Sequence, residues 1–452
     1  MVLTGWLSGP AAAASTLLIP VPEEGSPALY SLTCPNGLPA VIQARPGTRT
    51  VFAQLSARVG SRDEPPELAG MSHLLEHLLF REGQAFAALR RVGALVNAST
   101  DFEQTEYHAD LPAAAFDEGI DALAALVSGA AFTAADVDRE RRVVRGEAAL
   151  GKIDPAAVVV YSVLDRIFHG DPIAQPVIGF RRTLNRIRVE DLRDYHRRHY
   201  TAANMFAVVV GDVDPARAAG RLCTAIDSLP QGAGTHPPYP EPAARIERMY
   251  QFRTLVKQCY LMAGSLTSGA AAPDAPSLEL LATLLGDGRG SRLHRRLVRQ
   301  EAFSDDVLAI TFQVSTAGAI AAGLAVNPPR AKAARAALLE EMRRLTREPV
   351  PPDELRAAVS RMAGALDARF ETNEGIAEFR ARRLLLHEPV GRDDYLARLR
   401  AITPEKLLEA ARRHWGPATG ESSEGLIEIQ VLPARGFGKL IAALRFLMFR
   451  RL

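Results

Sequence analysis

The 452-residue chain has few cysteines, only Cys34, Cys223 and Cys259. This count excludes a disulfide-rich scaffold, and the wide spacing excludes a CxxC metal knuckle. We expect all three to be buried apolar residues. An excess of charge is also absent, because 54 Lys and Arg face 52 Asp and Glu and leave a net charge of +2. That balance gives no general attraction to nucleic acid or to an anionic membrane. No stretch approaches about 18 uninterrupted apolar residues, so no membrane-spanning helix is predicted.

What the chain does have is the composition of an ordinary globular protein, with 47% hydrophobic and 23% charged residues. Its length suits two domains. A stretch rich in Pro and Gly, residues 231–243, is predicted to link a first domain of residues 29–230 to a second of residues 244–434. The order of predicted strands and helices is similar on both sides. Each half is therefore predicted to be an α+β unit.

The two ends differ from the rest of the chain. Residues 1–28 are predicted to be an N-terminal extension. Its first 18 residues are apolar, contain no basic residue and are broken by Gly and Pro, so we expect them to be loose, with a cleaved signal peptide as the alternative. Residues 435–452 are apolar with interspersed Lys and Arg. This tail is expected to pack on its own domain, lie on a membrane surface or dock on a partner. We expect a cytoplasmic location, with the periplasm as the alternative.

His73, Glu76 and His77 form an HxxEH pattern inside a helix predicted over residues 68–80. Residues four apart share one face of a helix, so both imidazoles can point at one ion. Glu76 stands beside them, where a carboxylate can take a proton from a water activated by a metal. Three ionisable residues in so apolar a helix are costly to bury unless a partner such as zinc is present. The alternative is two surface histidines and a glutamate that coincide by chance.

A catalytic zinc needs a third protein ligand, and a second helix offers two carboxylates. Glu140 and Glu147 are seven residues apart on a helix predicted over residues 136–151, so they lie on one face. One can bind the metal while the other orients a histidine. The alternative is that both are solvated charges among the neighbouring arginines.

Residues 60–83, GSRDEPPELAGMSHLLEHLLFREG, resemble the signature of the M16 metallopeptidases, the pitrilysin-like or inverzincin family. The family includes the mitochondrial processing peptidase and its bacterial relatives. The resemblance extends over residues 29–432 and is nearest to the M16B type, in particular to the β subunit of that processing peptidase and to the zinc-bearing chain of heterodimeric bacterial members. Further matching segments follow in the same order, at residues 97–100, 105–107, 140–147, 169–172, 177–179, 284–288 and 291–293.

The resemblance implies a role for each residue of the candidate site. His73, His77 and Glu147 would bind one Zn²⁺ per chain. Glu76 would be the general base. Glu140 would contact a zinc ligand on the side away from the metal and orient it. The implied activity is that of a zinc metalloendopeptidase, in which water attacks a peptide carbonyl.

The same resemblance implies the fold and the way in which substrate binds. The expected fold class is α+β, with two similar domains that each pack helices on one face of an antiparallel or mixed sheet of about five or six strands. Asn97 and Ala98 would lie on an edge strand that holds an extended peptide through backbone hydrogen bonds. The expected substrate is thus a peptide, and no nucleic acid is expected as a partner.

One departure from the family pattern concerns an Arg and a Tyr, seven residues apart, in family members that work alone or as homodimers. The pair follows the helix that begins with the SRL segment, residues 291–293 here. Val298 and Asp305 stand at these positions here. Val298 has no donor, and Asp305 has the wrong charge to stabilise an oxyanion. We therefore expect a partner chain of the same family, in a heterodimer, to supply the pair; a homodimer is the alternative. Two rival functions stay open: a non-catalytic scaffold and a zinc enzyme with a non-peptide substrate.

Overall fold

The structure is a computed structural model, and it describes residues 17–23, 28–81, 83–151, 155–232, 239, 249–254, 256–416 and 426–434. The predicted tail of residues 435–452 lies outside the described residues, as do residues 1–16 and most of the predicted linker. The extents of these segments therefore stay predictions. No helix in the described part is long and apolar enough to cross a membrane.

The described chain contains two sets of strands and helices that follow one another in a similar order. The strands are Ile19–Pro20 (β1), Leu29–Thr33 (β2), Pro39–Ala44 (β3), Thr50–Ala57 (β4), Leu95–Thr100 (β5), Thr105–Pro112 (β6), Met205–Gly211 (β7), Met249–Thr254 (β8), Cys259–Ser268 (β9), Val307–Gln313 (β10), Ala317–Val326 (β11) and Ile427–Pro433 (β12). The α-helices are Met71–Phe80 (α1), Gln84–Arg91 (α2), Phe116–Ser128 (α3), Ala134–Gly151 (α4), Pro155–Ile167 (α5), Arg181–Leu184 (α6), Val189–His199 (α7), Pro215–Ala225 (α8), Ala275–Gly286 (α9), Ala331–Arg347 (α10), Pro352–Arg369 (α11), Asn373–Leu385 (α12), Arg392–Arg400 (α13) and Pro404–Trp415 (α14). A π-helix spans His294–Gln300.

The strands form two open sheets, which confirms the predicted α+β class. The first sheet has the order β1-β2-β3-β7-β4-β6-β5, and the second has the order β10-β11-β9-β12-β8. In each sheet one neighbouring pair is parallel, β3 with β7 and β8 with β12, and the other pairs are antiparallel. The first sheet exceeds the expected five or six strands because the short strands β1 and β2 extend its edge.

Each sheet is covered on one face by helices of its own half. Alternate residues of a strand point to opposite faces, and in β7 Ala207 and Val209 enter the first core while Val208 and Val210 face the other way. On that second face Ile376 of α12, from the second half of the chain, packs against them. In return, α5 of the first half packs on the second sheet. Each half therefore contributes one helix that covers the second face of the other half's sheet.

One prediction outside the site is wrong. Cys34 and Cys223 are not separate apolar residues, because they form a disulfide across 189 residues of chain; Cys259 is buried, as predicted. The expected loose segment, residues 1–18, lies almost entirely outside the described residues and stays a prediction. After it, β1 pairs with β2, and Glu23 forms a buried ion pair with Arg380 of α12.

Candidate active site

The start of α1 is held by contacts that the sequence did not predict. The Glu64 carboxylate accepts hydrogen bonds of 2.6 Å from the backbone N–H groups of Gly70 and Ser72. Burial raises the pKa of Glu64 to about 8, while these N–H groups act to lower it. Gly70 has a φ of +94° and lies against Gly179. A Cβ atom on Gly179 would lie 2.2 Å from the carbonyl oxygen of Ala69, so this close approach requires glycine. Glu64 could have been noticed as an acidic residue just ahead of a helix N-terminus.

The helical spacing in α1 separates apolar from ionisable side chains. Leu74, Leu75 and Leu78 enter the first core. His73, Glu76 and His77 lie on the opposite face, and this face looks toward α4 and β5. Tertiary contacts therefore decide what the three ionisable groups meet.

Helix α4 brings Glu147 to the two histidines. Its Oε2 atom lies 3.8 Å from His73 Nε2 and 3.4 Å from His77 Nε2, and one potential ligand atom from each of the three residues lies within 4.8 Å of the others. Ligands at about 2.0–2.1 Å around a tetrahedral ion stand about 3.4 Å apart, so the three side chains fit a zinc-sized ion with one position left for a further ligand.

The surroundings of the histidines also suit metal binding. His77 Nδ1 lies 3.9 Å from Glu140 Oε2, on the side away from Glu147, which places Glu140 where it can orient the imidazole. Burial, and then the neighbouring His77, lower the pKa of His73 to about 4. His73 is therefore neutral at pH 7, which is the form that binds metals.

Glu76 is placed for proton transfer. Its Oε2 atom accepts a 2.9 Å hydrogen bond from Thr100 Oγ1 and lies 4.0 Å from His73 Nε2. Burial raises the pKa of Glu76 to about 7; the Thr100 hydrogen bond lowers it, and the nearby Glu147 raises it further. A carboxylate that titrates near neutral pH can both take and return a proton. Thr100 is a residue of the site whose role the sequence alone did not suggest.

Asn97 and Ala98 lie in β5, the outer strand of the first sheet. The N–H of Asp101 donates to the carbonyl of Gln104, which closes the β5–β6 hairpin with a hydrogen-bonded pair. Such pairs alternate along an antiparallel ladder, so the backbone groups of Asn97 point to β6 and those of Ala98 point outward from the sheet edge. An extended peptide can add there as a further strand.

The edge strand and the three-residue cluster share one cleft of about 510 Å³. Phe80, Val177 and Ile178 also line this cleft. Neither residue at the position of the missing Arg/Tyr pair lines this cleft among the described residues. Val298 packs against the core of the second half, and Asp305 is exposed to solvent.

Comparison with known sequences places the chain in a family. Residues 40–180 match the family model described as insulinase (peptidase family M16), and residues 186–362 match the one described as the peptidase M16 inactive domain. Together the two matches span more than half of the chain. The chain belongs to peptidase family M16.

Relatives of this M16 chain have similar lengths and the same fold. An uncharacterized zinc protease of Streptomyces coelicolor is 27% identical over 412 residues, which are 86% of this chain and 88% of the relative. A protease from Helicobacter pylori superposes with a TM-score of 0.82 at 21% identity, covering 90% of this chain and all of that one. A Pseudomonas fluorescens structure described as a peptidase M16 inactive domain also gives 0.82, at 16% identity, with 90% and 98% covered. At these identities the structural likeness establishes the fold alone, and the assignment to the M16B type stays a prediction.

Proposed function

We propose that this M16 chain is a zinc-dependent endopeptidase that cleaves extended peptides. The observation that carries the proposal is the convergence of His73, His77 and Glu147 beside the buried Glu76, in a cleft whose other side is an open strand edge. A structural role alone does not require three potential ligands at ligand spacing next to a carboxylate that titrates near neutral pH. Two relatives carry the name uncharacterized zinc protease, and these names support the same metal and reaction.

Each residue of the cleft has a defined task in the proposed reaction. The two histidines and Glu147 would hold the zinc ion, which would supply Lewis acidity toward a peptide carbonyl and toward a water molecule. Glu76 takes the proton of the attacking water and returns it to the nitrogen of the leaving amine. Thr100 holds the Glu76 carboxylate in position through its hydroxyl. The outward backbone groups of β5 hold the substrate extended, so that the scissile bond is presented to Glu76.

The proposed working form contains a partner. Val298 and Asp305 offer no donor to a developing oxyanion. We propose that a second M16-like chain with an Arg/Tyr pair completes the site as a heterodimer. The alternative, a homodimer, would leave both copies without the pair. Contact of the tail with a membrane surface stays a separate expectation.

The test compares the purified zinc-loaded chain with its Glu76→Gln variant on a mixture of unstructured peptides, with cleavage read by mass spectrometry. We expect the variant to be slower by about 10²–10⁴-fold, because it loses the general base, and to keep one zinc per chain by elemental analysis. Glu118→Gln, an exposed residue of α3, is the matched control and should cleave normally. The assay is repeated with the partner that co-purifies from the native host, and the rate should rise.

Two outcomes would count against the proposed peptidase function, and a third would count against the heterodimer alone. Equal cleavage by wild type and Glu76→Gln would remove the peptidase mechanism, and zinc-loaded protein inactive with and without its partner would favour a scaffold. A normal rate from the chain alone, shown to be free of any partner, would remove the heterodimer but keep the peptidase.

A further inference from the structure

The tip of the β5–β6 hairpin, residues 101–104, reaches from the first half of the chain into the second. Phe102 is buried and belongs to an apolar cluster formed mainly by the second sheet and α5. Its ring meets that of Phe312 edge to face, at a distance of 5.1 Å between the ring centroids. Because β5 ends immediately before this tip, the second half fixes one end of the strand that is proposed to bind substrate.

Glu103, the next residue of the tip, is buried against the turn between β10 and β11 in the second half. Its carboxylate accepts hydrogen bonds from the backbone N–H of Ser315 at 2.7 Å and from Ser315 Oγ at 2.8 Å. The two bonds go to different carboxylate oxygens, which fixes the orientation of the group. Hydrogen bonds to a charged group are among the stronger ones in proteins, so this contact holds the tip in place.

Arg62 joins the same carboxylate to another part of the catalytic cleft. This arginine is buried, and its Nη1 atom donates to Glu103 Oε1 at 2.7 Å and to Thr316 Oγ1 at 3.1 Å. Its Nη2 atom donates to Asp171 Oδ2 at 2.9 Å. Asp171 begins the segment that leads to residues 177–178, which line the cleft. One buried guanidinium therefore links the hairpin tip, the 171–178 segment and the second half.

The position of the tip bears on two features of β5 that the proposed reaction uses. Thr100, the last residue of the strand, donates to the Glu76 carboxylate, and Ala98 directs its backbone groups outward. The backbone N–H groups of Ser61 and Arg62 bind the carbonyl groups of residues 101–102 at 3.1 and 2.8 Å. A movement of the tip therefore displaces the substrate edge together with the partner of the general base, and catalysis is sensitive to displacements on the order of 1 Å.

We propose that Glu103 is a positioning residue for the reaction and that the second half holds the substrate strand through it. The anchor consists of Arg62, Glu103, Ser315 and Thr316, and it keeps β5 at the distance from Glu76 that the reaction needs. Arg62, Glu103 and Ser315 do not line the cleft, so they act on the reaction only through β5. This inference rests on the proposed peptidase function. It gives a task to the second half, since the candidate zinc ligands all lie in the first.

The test combines steady-state kinetics with peptide binding. Glu103→Gln removes the charge that Arg62 and Ser315 hold, and the binding assay uses this variant in zinc-loaded Glu76→Gln protein. With an unstructured peptide that the wild type cleaves, we expect KM and Kd to rise about tenfold, the effect of losing about one strong hydrogen bond. The change in kcat should be smaller than that in KM, because the anchor acts on the strand that binds the peptide. One zinc per chain should remain, because the anchor contributes no zinc ligand.

The double variant Ser315→Ala, Thr316→Val reaches the anchor from the second half and keeps the test decisive if Glu103→Gln folds poorly. It removes two hydroxyls from a half-buried turn and should raise KM in the same direction. Ser315→Thr keeps its hydroxyl, so its KM should match that of the wild type. Ser304→Ala is the matched control, because it also removes a serine hydroxyl from the second half, but one that donates within its own loop to the carbonyl of Asp306. It should bind and cleave the peptide normally.

Hydrogen exchange read by mass spectrometry separates a loss of the anchor from general instability. In Glu103→Gln and in the double variant, amides of residues 95–105 should exchange faster than in the wild type, whereas amides of α10 should exchange at the wild-type rate. Faster exchange throughout the chain together with an unchanged KM would assign Glu103 a purely structural role and overturn the inference.

The kinetic outcomes separate this inference from the peptidase proposal. Wild-type KM and Kd in both Glu103→Gln and the double variant overturn the anchor and leave the peptidase standing. A wild-type protein that neither binds nor cleaves any peptide, with or without its partner, overturns the peptidase and the anchor with it.

Discussion

Two residues of α1 show how burial prepares the site. Burial lowers the pKa of His73 to about 4, so this imidazole is neutral across the neutral range, and it raises the pKa of Glu76 to about 7, so this carboxyl titrates within that range. Their identity and the shared helical face followed from the HxxEH spacing alone. The partnership of Glu76 with Thr100 did not, because the two residues are 24 positions apart and meet only when β5 packs beside α1.

The raised pKa of Glu76 predicts a pH-dependent stability of the metal-free protein. In the folded state the carboxyl titrates near pH 7, above its value of 4.5 without burial. Folding therefore favours the protonated form, so stability is full below pH 4.5 and falls as the pH rises through 7. The loss is on the order of 3 kcal/mol, since each pKa unit is about 1.4 kcal/mol.

Urea unfolding of the metal-free protein, prepared with a chelator, between pH 5 and pH 8 tests this expectation. Glu76→Gln is neutral at every pH, so the variant should lose less stability than wild type over this range. Parallel curves for the two proteins would contradict the burial argument.

At the scale of elements, local sequence patterns predicted the two helices of the site well. The helices predicted over residues 68–80 and 136–151 are present as α1, Met71–Phe80, and α4, Ala134–Gly151. The edge position of β5 depends on which strands pair, and this is decided by contacts between distant segments. The disulfide is a similar case, because Cys34 follows β2 and Cys223 lies in α8, and the two residues meet only when α8 packs beside β3 of the first sheet.

The disulfide between Cys34 and Cys223 is predicted to stabilise the first half. It closes a loop of 189 residues, so the unfolded chain is restricted when the link is present, an effect of about 2–4 kcal/mol. The double variant Cys34→Ala, Cys223→Ala should therefore unfold at lower denaturant concentration than the oxidised protein.

Peptide mapping without reductant should detect the Cys34–Cys223 peptide pair. Wild type treated with reductant is the matched control, and it should resemble the double variant. If oxidised and reduced wild type unfold together, the disulfide is absent or contributes nothing.

At the scale of the whole molecule, the two halves are tied by a buried charge as well as by the exchanged helices. Arg380 of α12 is fully buried and donates to both carboxylate oxygens of Glu23, at 2.7 and 2.9 Å, and to Gln43 of β3 at 3.0 Å. One arginine of the second half therefore joins the N-terminal segment and the first sheet. The duplication of the element order suggested two separate units, and the sequence contains no local sign of this tie.

Loss of Glu23 should destabilise the whole chain. In Glu23→Ala the buried Arg380 keeps its charge without its carboxylate, which costs about 3–5 kcal/mol. The paired replacement Glu23→Leu with Arg380→Met removes both charges and should recover most of that loss.

Urea unfolding of the single and paired variants measures the coupling. A Glu23→Ala protein as stable as wild type would show that Arg380 finds another partner and that the tie is weak.

The sequence by itself determined the properties that depend on nearby residues. These are the shared helical face of His73, Glu76 and His77, the α+β class and the resemblance to M16 peptidases. Only the tertiary structure decided which distant groups meet: Glu147 with the histidines, Thr100 with Glu76, Cys34 with Cys223. The reason is physical, because periodicity fixes the direction of a side chain within an element, whereas the packing of elements far apart in the chain fixes what that side chain contacts.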